Sequence, residues 1–240
     1  MRRLFTFGDS HTAYIYPTWA NILGTCEDID LYNCAKAGSD NLFMLQNLIR
    51  GIKKYNITKD DIVMVQFTYT DRIIYNGNEW NDIMSNILLR DKDFILNSYD
   101  KEVGVASTMD WAFCMKLLLD NIGCEYHIHP YRHIWPQDVS DDEIYPKEKY
   151  HYYFNDIKEY DGHFTIEFHQ KYVDKYYPNY KYDKDKVEEW CSMIKSSKLT
   201  TEKTFSNIIS GLEGKHCVTN FEAAYVTKED KILANKLKEL

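Results

Sequence analysis

Arg3-Leu4-Phe5-Thr6-Phe7-Gly8-Asp9-Ser10-His11-Thr12 is the stretch on which the reading of this chain turns. Residues 3–7 spell a short apolar strand, and Gly8 permits the tight turn that ends it. A helix is predicted over Ala13 to Leu23, which leaves Ser10 where a strand gives way to a helix. In open α/β sheets ligands bind at that carboxyl edge. A helix N-terminus there offers backbone N–H groups to a developing negative charge. Ser10 is therefore a candidate nucleophile. The competing reading is a serine that only caps a helix.

Working outward, the pattern alternates. Strands are predicted over Asp30 to Cys34, Ile62 to Phe67 and Cys124 to His129. Helices are predicted over Asn41 to Tyr55 and from Ser107-Thr108-Met109-Asp110, a capping-box-like start, to a stop near Gly123. Strands alternating with helices indicate a parallel sheet covered on both faces, so a three-layer α/β/α domain over residues 1–182 is expected. Residues 73–104 hang from the carboxyl end of the third strand. They read either as an insertion that shapes the site or as a helix pair packed elsewhere. Residues 183–240 read as a helical extension whose Trp190, Met193, Ile194, Phe205, Ile208 and Ile209 need a partner surface. That surface is the main domain or another subunit, which makes a homo-oligomer through these helices one expectation.

A second informative stretch is Asp161-Gly162-His163-Phe164-Thr165. An acid two residues before a histidine can place both on one loop, with the carboxylate orienting the imidazole toward Ser10. The chain order Ser, Asp, His is one of several in which this chemistry recurs. Between these stretches lies Asn33-Cys34-Ala35-Lys36-Ala37-Gly38-Ser39-Asp40-Asn41, a strand end, a glycine and a helix start. Glycine there lets a backbone N–H approach an oxyanion.

These three segments, in this order, resemble the SGNH (GDSL-like) hydrolase superfamily. Its first block matches Gly8-Asp9-Ser10, its second Gly38, and its last Asp161 and His163 in an Asp-x-His spacing. The third block departs, because Thr68-Tyr69-Thr70-Asp71 stands where the family usually shows Gly-x-Asn-Asp. The resemblance implies a flavodoxin-like sheet and a serine esterase acting on a small O-acyl group, with acetyl on a carbohydrate the leading case. Ser10 would attack, His163 would be the base, and Asp161 would hold its tautomer. The N–H groups of Ser10 and Gly38 would receive the oxyanion, with the Thr70 hydroxyl a third donor. Acyl transfer to a sugar with the same serine, or a non-catalytic carbohydrate-binding module, are the alternatives.

Other groups have plainer readings. Asp9 reads as an anchor for the loop, His11 as a poorer base than His163, and His169 as structural. Asp71, Arg72 and Arg132 are candidate substrate-binding residues, with a local Asp71–Arg72 ion pair as the alternative. His127, His129 and His133 form a possible metal cluster without an acidic ligand, and no cofactor is called for. The 240 residues carry a formal net charge of −8 and no basic stripe, which argues against nucleic acid or an anionic membrane as partner. No apolar h-region follows Met1 and no run approaches the ~20 residues of a membrane span, so a cytoplasmic location is expected. The six cysteines lack Cys-x-x-Cys spacing and read as reduced thiols, Cys34 and Cys114 in the core. Many of the 20 tyrosines fall between Tyr145 and Tyr182, as compositional bias or as aromatic platforms for a sugar.

Overall fold

A computed structural model describes residues 1–14, 16–36, 39–68, 101–130, 151–154 and 158–196. Its main sheet has four strands: β1 (Arg2–Phe7), β2 (Ile29–Asn33), β3 (Ile62–Phe67) and β4 (Glu125–Pro130), in the order β2-β1-β3-β4. Every pairing is parallel; Leu4 lies opposite both Leu31 and Ile62, and Val65 opposite Ile128. The chain adds β2 on one side of β1 and then crosses to add β3 and β4 on the other. That reversal opens a crevice at the carboxyl ends of β1 and β3.

β3 shows why this sheet is internal. All six of its residues, Ile-Val-Met-Val-Gln-Phe, are buried, because helices cover both faces. Period-two alternation divides the apolar side chains between two clusters. Leu4, Ile62 and Met64 pack with α1 (Trp19–Leu23) and, after β4, with two further helices on that face. Phe5, Phe7, Val63, Val65 and Phe67 pack with α2 (Asn41–Tyr55) and α3 (Lys101–Ile122). The result is a three-layer α/β/α arrangement. A separate two-stranded antiparallel sheet, β5 (His151–Phe154) with β6 (Glu159–Phe164), leads into α4 (Ile166–Tyr176) and α5 (Lys184–Ser196).

The helix bounds show which local signals prevailed. α2 begins and ends where predicted: the Asp40 carboxylate accepts from Phe43 N (2.7 Å), and Asn56 leaves the helix at φ 48°. α1 does not. It starts at Trp19 and not at Ala13, because Pro17 disfavours helical geometry at Tyr16. Side chains satisfy the loop instead, the Thr12 carbonyl accepting from Thr18 Oγ1 (2.7 Å) and Asn33 Nδ2 (2.9 Å). α3 starts at Lys101, six residues before the expected Ser107, so residues 101–104 belong to it. Thr108 is buried mid-helix, and its hydroxyl accepts from Asn41 Nδ2 (3.2 Å). The remainder of the 73–104 stretch lies outside the described residues. Gly123 closes α3 in the left-handed region, φ 76°.

One further expectation changes. Cys114 is exposed on α3, not in the core, whereas Cys34 is fully buried. α5, the first helix of the 183–240 segment, buries Val187, Trp190, Cys191 and Ile194 in the same cluster as α1 and α4. Met193 stays exposed, and Phe205, Ile208 and Ile209 lie outside the described residues. Among the described residues, no helix is long and apolar enough to cross a membrane.

Candidate active site

The turn after β1 is shaped by a glycine that has no room for a side chain. A Cβ on Gly8 would lie 2.0 Å from Thr12 Oγ1 and 2.7 Å from Thr12 Cβ. Asp9 organises the rest of the turn. Its carboxylate is fully buried and accepts from the His11 N–H (2.9 Å) and from the Thr68 hydroxyl (2.6 Å). Its carbonyl accepts from the N–H groups of Thr12 and Ala13, 3.0 Å each. Asn41 in turn accepts from the Thr68 N–H (2.8 Å) and donates to the Thr68 carbonyl (3.3 Å). The β1 turn, the start of α2 and the end of β3 are thereby tied into one buried polar network. Gln66 extends it on the α1 face, accepting from Thr12 Oγ1 (2.9 Å) and Trp19 Nε1 (2.6 Å).

Ser10 stands on this turn, at the crevice, but not at a helix start. The expected helix N-terminus is nine residues further on, and Thr18 caps it. Ser10 is buried, and its Oγ lies 2.7 Å from His163 Nε2, across 153 positions of sequence. His163 comes from β6, not from a loop as expected, and Asp161 lies two residues before it in the same strand. The Asp161 side chain lies outside the described part of the molecule. Tyr14 stacks on the His163 ring, with centroids 3.7 Å apart and planes at 24°, and His11 lies near it at 5.0 Å and 43°.

The remaining candidate residues divide clearly. His169 is in the first turn of α4 and buried; desolvation, then the nearby His163, pushes it down to about 3, so it stays neutral. Burial lowers His129 to about 4. His127 and His129 stack 6.0 Å apart along β4, and among the described residues no group of three His, Cys, Asp or Glu is placed to hold a metal ion. Burial lifts the thiols of Cys34 and Cys191 to about 12, so both stay protonated. Gly38, Thr70, Asp71, Arg72, Arg132 and His133 lie outside the described residues. The flanks of Gly38 are nonetheless held at the turn: the Gly8 carbonyl accepts from Lys36 N (3.1 Å) and Ser39 Oγ (3.0 Å).

Of the tyrosines, Tyr152, Tyr177 and Tyr182 are buried in the α1-face core, while Tyr153 and Tyr160 pair edge-to-face on the exposed hairpin. Sequence reasoning missed Tyr14 and Asn41 as parts of the site. Neither has a spacing signal, because each meets its partner only through the fold. A cavity of about 780 Å³ opens at the opposite, amino end of the sheet, lined by Arg2, Glu125, His127 and Tyr180 among others.

No family model and no curated protein matches the chain. Among solved structures it is similar to the crystal structure of protein YXIM from Bacillus subtilis, at 12% identity and a TM-score of 0.38. The match covers 91% of this chain and 48% of that one, so the chain spans about half the length of the structure it resembles.

Proposed function

We propose that this chain is a serine esterase of SGNH type that hydrolyses a small O-acyl ester, with acetyl on a carbohydrate the leading substrate class. The observation that carries the reading is the 2.7 Å approach of Ser10 Oγ to His163 Nε2 at the carboxyl end of a parallel sheet. A serine hydroxyl becomes a useful nucleophile when an acceptor nitrogen can take its proton as it attacks. Ser10 Oγ adds to the acyl carbon while its proton passes to His163 Nε2. The same proton then goes to the leaving alcohol as the tetrahedral adduct collapses to acyl-Ser10. Water, deprotonated by His163, releases the acid. Asp161 holds the ring tautomer, and the N–H groups of Ser10 and Gly38, with the Thr70 hydroxyl, receive the oxyanion; these roles rest on the motif resemblance.

The test is treatment with p-nitrophenyl acetate and with a serine-directed organophosphonate, followed by peptide mass spectrometry. Turnover with the phosphonate on Ser10 supports the esterase. Labelling with slow turnover that a sugar acceptor accelerates moves the assignment to acyl transfer. Absence of both labelling and turnover overturns the enzyme reading in favour of a binding module.

A further inference from the structure

The Ser10–His163 contact joins two structurally separate pieces. Ser10 belongs to the turn of the four-stranded sheet, whereas His163 belongs to the β5–β6 hairpin, which among the described residues shares no strand pairing with it. A column of aromatic rings stands behind the imidazole. Tyr14 lies against the His163 ring face at 3.7 Å. Tyr16 meets Tyr14 edge-on at 4.9 Å and 85°, and Tyr152 meets Tyr16 edge-on at 5.2 Å and 88°. Tyr152 is anchored in turn: its hydroxyl donates to Glu167 (3.0 Å) and accepts from the Ile166 N–H (3.1 Å). Tyr16 is 1% exposed, so the column stands on the core of the α1 face.

Resting on the esterase reading above, we infer that Tyr14 is a positioning residue of the candidate base: its ring fixes the plane of the His163 imidazole in line with Ser10 Oγ. The ring-on-ring contact leaves no space for water on that face. It also sets an aromatic π-face against the imidazolium that forms when the serine proton is taken, a favourable pairing. In this role Tyr14 acts through His163 and takes no proton itself. The positioning falls to the ring, which makes the contact with His163.

Two readouts test this. Tyr14→Ala should lower kcat for p-nitrophenyl acetate by about tenfold to a hundredfold with KM little changed, while Tyr14→Phe restores the rate to within about threefold. Independently of activity, the His163 ring protons should carry an upfield ring-current shift in the NMR spectrum of Ser10→Ala protein. That shift should persist in Ser10→Ala/Tyr14→Phe and vanish in Ser10→Ala/Tyr14→Ala, with the signal assigned by its loss in His163→Gln. An unshifted His163 signal overturns the proposal, as does full kcat in Tyr14→Ala. Tyr14→Phe as slow as Tyr14→Ala also overturns it, by assigning the effect to the hydroxyl. An inactive wild-type protein that still shows the ring-current shift sinks the esterase reading alone and leaves Tyr14 positioning His163.

Discussion

The two ends of the parallel sheet handle polar groups in opposite ways. At the amino end, charges are matched where they stand. Arg3 forms a two-pronged pair with Asp61, at 2.6 and 2.8 Å, and Arg2 pairs with Glu125 at 2.8 Å. At the carboxyl end, Asp9 is fully buried yet its carboxylate bonds to a backbone N–H and a hydroxyl, and Ser10 Oγ meets the His163 ring nitrogen. A charge neutralised by a partner has little left to offer a substrate. A serine hydroxyl beside an imidazole nitrogen can still exchange a proton. The contrast teaches that the amino end serves stability, while the carboxyl end keeps the groups that the esterase reading requires.

The sharpest way to break this contrast is to remove the proton-exchanging pair. Ser10→Ala and His163→Ala are each expected to lower ester turnover by about a thousandfold or more, and the double variant little further, because groups acting as a unit are not additive. Folding, read by circular dichroism and thermal melting, should be nearly unchanged. Turnover that survives Ser10→Ala would end the assignment of the nucleophile. Asp9→Ala is the next largest. It strands the buried Thr68 hydroxyl and His11 N–H, and should cost about 2–4 kcal/mol in urea unfolding while also lowering kcat. A stable, fully active Asp9→Ala protein would show that the network is incidental.

At the amino end the effects should fall on stability alone. Burial pushes the Asp61 carboxyl up, but the Arg3 fork and the Thr58 N–H outweigh this and hold it below the ordinary carboxylate range. A carboxyl depressed on folding stabilises the native state above its unfolded pKa, and that stability is lost as pH falls through the folded value. Asp61→Asn should therefore cost about 1–3 kcal/mol at neutral pH, with kcat unchanged. The variant should also lose less further stability than wild type as pH drops below about 4. A parallel acid limb in both proteins would remove Asp61 from that role. Arg2→Ala should matter least, under about 1 kcal/mol and vanishing in high salt, since the Arg2–Glu125 pair is exposed. A loss well above that, insensitive to salt, would mean that Arg2 does more than sit in a surface pair.

Much of this architecture was legible in the residues. β3 and α2 fall where their patterns place them, because a continuous apolar run and a capped amphipathic helix are local signals that nothing in the fold opposes. α5 likewise runs from Lys184 to Ser196 as expected. Local signals misled where tertiary partners took over the backbone or the face. Thr12 is bonded by the Thr18 and Asn33 side chains instead of entering a helix turn, and Pro17 disfavours helix before α1. The Ser107-Thr108 start of a capping box became helix interior, with Thr108 bonded to Asn41. Cys114 fell on the outer face of α3, since a 22-residue helix with apolar residues nearly all round does not reveal which side meets the sheet.

For the candidate site, the order of Gly8-Asp9-Ser10 and Asp161-x-His163 was enough to pair Ser10 with His163, because residue type and chain order carry that information. Asp9 as an anchor and His169 as a buried structural group were also readable. The hairpin that delivers His163 and the aromatic column behind it were not. Tyr14, Tyr16 and Tyr152 lie at no periodic spacing from His163, and their ring contacts exist only once β5, β6 and the loop after β1 are folded against one another. The sequence by itself determined which groups are chemically able to act. Only tertiary structure decided which of them meet, because a contact across 153 residues is set by the packing of the layers between them.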